Sequence, residues 1–170
     1  MDFHRVHYLD ASVLVKLLVK EEGSDLVERY MERECTSSFK TTSLCFAEAL
    51  GVLKLKHLNR RRSDHIDEET YFTGADELRA FVETDRIAVL DVGITDATIF
   101  AEVETIARRH SLDVADAYQI VTVRKDYFSR FPDARPILIT ADEDLAKAAL
   151  AEGLLVWDCI KEAAPLWGRT

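Results

Sequence analysis

Two patterns of apolar residues alternate along the chain, one typical of strands and one typical of helices. Short β-prone apolar runs predict strands at 6–9, 35–38, 87–92, 137–140 and 154–157. Segments with helical spacing predict helices at 11–20, 25–33, 42–59, 67–84, 95–109, 115–128 and 143–152, with a short closing helix near 159–166. Strands separated by helices imply parallel crossovers. The pattern therefore predicts an α/β fold, a three-layer α/β/α sandwich around a central, mainly parallel five-stranded sheet.

Nothing in the chain marks a boundary between domains. The sequence contains no repeat, low-complexity tract or linker, and 170 residues fit one domain, so we expect a single domain over residues 1–170. The polar stretch 60–77 has the least regular pattern. We expect it to form a helical extension or a protruding hairpin.

Composition limits the classes of protein that fit. No apolar run approaches the length of a membrane span, and the N-terminus lacks the pattern of a signal peptide. The three cysteines are widely spaced and predict reduced thiols in a cytoplasmic protein. The formal net charge of −9 argues against a protein that binds nucleic acid through the electrostatic field of its overall charge.

One local segment runs against that acidic balance. Residues 54–62 read KLKHLNRRR and contain five Lys or Arg residues. The segment is either a solvated helix end or a patch that contacts phosphates. On the second interpretation, Arg60, Arg61 and Arg62 are candidate RNA-binding residues.

Several acidic residues lie just after predicted strands. In open α/β sheets, binding and catalytic sites form beyond the carboxyl ends of the strands. Asp10 follows the first predicted strand, and Asp142 follows the fourth, which ends at Thr140. Asp113 and Asp116 open the helix near 115. Each of these aspartates also has a simple alternative role, since a carboxylate caps a helix or favours its first turn.

Capping cannot explain Glu48, which lies in the middle of a helix. The surrounding segment, residues 44–53, is almost entirely apolar, so we expect this helix to be buried on most sides. A buried carboxylate needs a partner. A salt bridge to a distant cation is one solution, and a metal site shared with the strand-end aspartates is the other.

Four segments carry a resemblance to a known family. They read YLDASVLVKL, SLCFAEALGVL, SLDVADAYQIV and ILITADEDLAKAALAEGLLV, in that order along the chain. Together they resemble the PIN-domain ribonucleases, and most closely the VapC-type toxins of toxin–antitoxin pairs. The segment 60–84 departs from the resemblance because it is longer than in the compact toxins.

The resemblance implies which residues form the active site. The family's acids fall on Asp10, Glu48, Asp116 and Asp142, which are the expected catalytic and metal-binding residues. Its hydroxyl residues fall on Ser12 and Thr140, which would hold carboxylates by hydrogen bonds. Asp113 matches less well and is interpreted as a helix cap.

An all-oxygen ligand set without His or Cys suits Mg²⁺ or Mn²⁺ better than Zn²⁺. One or two such ions could activate water and polarise an RNA phosphodiester. Asp10 and Asp116 are the expected direct ligands, and Asp142 would bind directly or through water. Glu48 would ligate a second ion or orient the attacking water.

The prediction is therefore a cytoplasmic, metal-dependent endoribonuclease and toxin. The resemblance also implies a homodimer and a small antitoxin protein as partner, and the lack of a long apolar run predicts no membrane association. Two alternatives remain: a catalytically silent PIN fold that acts as a binding module, and another Mg²⁺-dependent α/β phosphohydrolase. The second fits poorly because Ala11 and Ser12 follow Asp10, where a receiver or an aspartyl phosphatase needs further acids.

Overall fold

The computed structural model describes residues 5–131 and 136–165. Five strands form one sheet in the order β3-β2-β1-β4-β5, and every pairing between them is parallel. The strands are β1 (Val6–Leu9), β2 (Ser38–Thr41), β3 (Ala88–Val89), β4 (Ile137–Thr140) and β5 (Leu155–Asp158). The helices are α1 (Ala11–Leu18), α2 (Ser24–Arg33), α3 (Ser43–Leu58), α4 (Glu68–Glu83), α5 (Ala97–His110), α6 (Val114–Lys125) and α7 (Glu143–Ala151).

Side chains alternate across the central strands and divide the core in two. Leu9 of β1 and Ile139 of β4 pack with α1 to α4, whereas Tyr8 and Leu138 pack with α5 to α7. This period of two is the one expected for strands covered on both faces. The predicted three-layer α/β/α fold with a five-stranded sheet is confirmed, and the sheet is wholly parallel.

The main errors of the prediction lie at the second strand and the C-terminus. The second strand was expected at 35–38, but it begins three residues later, at Ser38. The segment 159–165 contains turns and no helix, contrary to the expected short helix, and residue 166 lies outside the described residues. The helix expected at 115–128 ends at Lys125 and is followed by a 3-10 turn, Tyr127–Arg130.

The stretch 60–77 forms no hairpin. It begins with turns over residues 60–64 and continues into α4, which Asp67 caps through the Thr70 amide at 2.8 Å. Leu78 and Phe81 of this helix are buried in the same core as α1 and α3. The long segment is therefore part of the α1–α4 layer. In the described part of the chain, no helix has both the length and the apolar character needed to cross a bilayer.

The strand order fixes where a site can form. The chain moves from β1 outward to β2 and β3, and then returns to β4 on the other side of β1. The carboxyl ends of β1 and β4 therefore flank the point where the strand order reverses, which is the usual ligand crevice of an open α/β sheet.

Candidate functional site

A groove of about 290 Å³ opens at this point of the sheet. One end of the groove, which we call the acidic end, is formed by five carboxylate residues. They are Asp10, Glu48, Asp113, Asp116 and Asp142. The opposite end, the cationic end, contains Glu21, Lys56 and Arg62. The four acids predicted from the sequence thus line one groove, together with a fifth.

Asp10 is the most buried of the five acids and is held in a fixed orientation. Its Oδ2 accepts hydrogen bonds from the Ser12 hydroxyl at 2.5 Å and from the Thr140 hydroxyl at 2.9 Å. The Ser12 oxygen in turn accepts the Ala141 amide at 3.0 Å, and the Thr140 oxygen accepts the Asp142 amide at 2.9 Å. The two hydroxyls therefore tie the end of β1 to the end of β4 around one carboxylate oxygen.

Burial raises the pKa of Asp10 above its usual range, although hydrogen bonds from Ser12 and Thr140 oppose the shift. The second oxygen, Oδ1, has the Cys45 thiol at 4.0 Å. Burial is also the main reason that the pKa of this thiol rises to about 12, and the Asp10 charge adds to it. Cys45 is consequently a packing residue beside the site, which the sequence patterns did not single out.

Three of the acids also cap helices, as the simple alternative predicted. Asp10 caps α1, Asp113 caps α6 through the Asp116 amide at 2.9 Å, and Asp142 caps α7 through the amides of Asp144 and Leu145. Asp113 and Asp142 use a single oxygen, Oδ1, for these bonds. Capping and a role in the groove are therefore compatible at both positions.

Glu48 and Asp116 have a different environment. Among the described residues, neither side chain accepts a hydrogen bond or forms an ion pair. Burial and then the charges of Asp10, Asp113, Asp142 and Glu48 raise the pKa of Asp116 to about 7. The pKa of Glu48 is also raised, by partial desolvation in the concave groove and then by Asp10, Asp113 and Asp142. Glu48 and Asp116 therefore lie in the repelling field of the neighbouring aspartates.

The expectation that Glu48 is buried is wrong. Its side chain is exposed to the groove, and Leu55 and Leu58 of the same helix are about 60% exposed. An apolar composition did not mean burial here, because folded surfaces contain much apolar area. Glu48 nevertheless faces the aspartates with which the sequence grouped it.

The predicted RNA-binding residues Arg60, Arg61 and Arg62 are all exposed and lie just beyond the end of α3. They are not equivalent. Arg62 lines the groove and binds Asp64 through two hydrogen bonds, at 2.7 and 3.0 Å. Within the described residues, the Arg60 and Arg61 side chains form no ion pair.

The donor set tests whether a divalent cation fits. All five groups are carboxylates, which are ligands that Mg²⁺ and Mn²⁺ prefer. In the described part of the chain, no three His, Cys, Asp or Glu side chains are placed so that they could hold a metal ion together. Mg²⁺ usually keeps several waters and takes one or two carboxylates. The acidic end therefore fits a partly hydrated ion and not an all-protein cage.

A larger groove, of about 380 Å³, lies between α1, α2 and α4 and is lined by Glu28, Glu77 and Arg86. No strand end contributes to it. The acidic residues that the chain brings together from four separate segments lie in the smaller groove, which we take as the candidate site.

The comparisons with known proteins concern the family of the chain. Comparison with curated proteins gives no match. The model of the PIN domain family matches residues 7–150, a range that contains all five acids and both hydroxyls that hold Asp10. Since this match spans most of the chain, the protein belongs to the PIN domain family.

Proposed function

We propose that the protein is a Mg²⁺- or Mn²⁺-dependent endoribonuclease that acts as the toxin of a toxin–antitoxin pair. PIN domains are typically nucleases that use divalent metal ions. The observation that carries the proposal for this chain is the pair Glu48 and Asp116. Among the described residues these two carboxylates have no cationic partner, and beside the buried Asp10 they are costly unless a cation completes the site.

In this proposal, Asp10 and Asp116 would hold the ion, and Asp142 would bind it directly or through water. When bound there, such an ion would polarise the phosphodiester as a Lewis acid and would lower the pKa of the attacking water. Ser12 and Thr140 keep the Asp10 carboxylate in one orientation. Glu48 lines the same groove from α3, where it would orient the attacking water or bind a second ion.

The hydrolysis needs no nucleophilic side chain. Water adds to phosphorus, the bond from phosphorus to the 3′ oxygen breaks, and the 3′ oxygen takes up a proton. The products are a 5′-phosphate and a 3′-hydroxyl. The raised pKa of Asp116 means that its ionised form is disfavoured in the protein alone. A bound cation would stabilise that ionised form, which is a further reason to expect a cation at the acidic end.

Cleavage mapping on total cellular RNA tests this function. We expect defined single-stranded or loop sites to be cut with Mg²⁺ or Mn²⁺ and no cutting in chelator. If the purified protein neither cleaves RNA nor binds Mn²⁺ in calorimetry, the silent binding module is the correct interpretation. Tight binding of beryllofluoride would instead favour the aspartyl phosphohydrolase.

The proposed partners follow from the same function. We expect a homodimer and a small antitoxin that blocks the acidic end, and the net charge of −9 suits a basic partner. Size-exclusion chromatography with light scattering tests the dimer, and a persistent 19.3 kDa monomer at high concentration would contradict it. Growth arrest on expression of the wild type, but not of Asp116→Asn, tests the toxin role.

A further inference from the structure

One face of α3 forms part of the groove wall. Glu48, Val52 and Lys56 are four residues apart and all line the groove. Eight residues of helix place Lys56 about 12 Å from Glu48 along the axis. A substrate strand lying along this face therefore passes from the acidic end to the cationic end.

Lys56 anchors the cationic end. Its ammonium contacts Glu21 Oε2 at 3.0 Å and Asp64 Oδ2 at 2.5 Å, and Lys16 contacts Glu21 Oε1 at 2.8 Å. Both lysines are only 6% exposed. The Lys56 carbonyl also accepts the Ile66 amide at 3.3 Å. These contacts fix the turn after α3 against the helix.

Arg62 is the accessible cation of this network, with 46% of its side chain exposed. Arg62 lines the groove, and Asp64 occupies two of its guanidinium donors. Three cations and two carboxylates (Lys16, Lys56 and Arg62 against Glu21 and Asp64) leave one net positive charge at this end. A guanidinium fork that binds a carboxylate through two bonds can bind a phosphate in the same way.

We infer that Arg62 binds a backbone phosphate of the RNA, farther along the strand from the phosphate cleaved at the acidic end. Asp64 holds the guanidinium in place before RNA arrives and competes with the phosphate for it. Lys56 is a positioning residue that orients Asp64 and does not touch the RNA. The inference rests on the proposed nuclease function and adds the residue that sets the path of the substrate.

The experiment measures binding of a labelled single-stranded RNA in chelator, where no cleavage occurs, at several salt concentrations. Arg62→Gln should weaken binding about tenfold, because a charge-assisted contact is lost. The slope of log affinity against log salt should fall by about 0.7. Arg79→Gln on α4 is the matched control, because Arg79 also pairs with carboxylates but lies outside the groove, and it should change affinity less than about twofold.

Asp64→Asn should change RNA affinity in the opposite direction. It removes the competing anion while Glu21 still pairs with Lys56, so RNA binding should become several-fold tighter. Melting curves of each variant check that the fold is retained. Unchanged or weaker binding by Asp64→Asn would overturn the competing role of that residue.

The outcomes separate this inference from the proposed function. If the wild type cleaves RNA but Arg79→Gln and Arg62→Gln bind RNA equally well, the groove assignment of Arg62 is wrong and the nuclease function stands. If the wild type neither binds nor cleaves RNA, both are overturned.

Discussion

The two ends of the groove contain carboxylates of the same chemical kind in opposite electrostatic situations. At the cationic end, Glu21 and Asp64 contact lysine or arginine directly. Hydrogen bonds from Arg62 and then Lys56 lower the pKa of Asp64, and those from Lys16 and Lys56 lower the pKa of Glu21 despite its burial. At the acidic end, burial and neighbouring acids raise the pKa of Glu48 and Asp116.

The two ends therefore have opposite effects on stability. The charges at the cationic end stabilise the fold, whereas those at the acidic end destabilise it. The paired carboxylates connect α1, α3 and the turn after α3, and they have their counter-charges within the chain. The acids at the other end oppose folding as long as they repel one another. Such an arrangement is expected where a ligand supplies the missing positive charge.

The largest effect expected at the acidic end is on catalysis. Asp10→Asn and Asp116→Asn should each lower kcat/KM for RNA cleavage by about a hundredfold or more. Loss of a residue that only hydrogen-bonds to a metal ligand already costs about 10–100-fold in activity, and loss of a ligand itself should cost at least as much. Asp144→Asn is the matched control, since Asp144 is exposed and lies outside the groove. Retained cleavage in both variants, prepared free of other nucleases, would refute the site assignment.

Stability should respond most at the cationic end. Lys56→Met removes the cation between Glu21 and Asp64, and we expect the free energy of unfolding to fall by about 2 kcal/mol, since both partners are partly exposed. Glu48→Gln should leave stability unchanged or slightly higher, because it removes a repelling charge. Urea unfolding in chelator measures both. Equal losses of unfolding free energy in Lys56→Met and Glu48→Gln would contradict the proposed electrostatic difference between the two ends.

A smaller effect concerns pH in the absence of metal. The pKa of Asp116 is about 7 in the folded protein against an ordinary 3.8, so the native state binds this proton more tightly. Its contribution is neutral well below pH 4 and becomes destabilising as the pH rises towards about 7. In chelator, raising the pH through this window should destabilise the wild type by about 1–2 kcal/mol more than Asp116→Asn.

Melting curves over that pH range, with Asp144→Asn as the control, provide the measurement. If the wild type and Asp116→Asn show the same pH dependence, the Asp116 side chain does not titrate under the influence of the other acids.

The parts of the fold that the sequence predicted well have strong local signals. The ends of β1 and β4 were predicted to the residue, because apolar runs there stop at Asp10 and just after Thr140. The second strand was misplaced because Lys40 interrupts its apolar pattern. That lysine is neutralised by Asp126 at 2.6 Å, a partner 86 residues away that no local pattern reveals.

The site was predicted in a similarly uneven way. The four acids that the family resemblance grouped line one groove, but burial was the wrong reason for singling out Glu48. Asp113 was expected only as a cap, although it also lines the groove. The cationic end was missed, except for Arg62, because its ion pairs join α1, α3 and the turns that follow them. The spacing of Glu48, Val52 and Lys56 on one helical face was the available signal.

The most direct test of the central claim is whether a divalent ion relieves the repulsion at the acidic end. We would measure melting temperatures of the wild type and Asp116→Asn, each in chelator and in Mn²⁺. Mn²⁺ at about 100 times its dissociation constant should stabilise the wild type by about 2.7 kcal/mol, or about 5–10 °C. Asp116→Asn should melt at or above the wild type in chelator and below it in Mn²⁺. Parallel shifts of the two proteins, without this crossover, would contradict the claim.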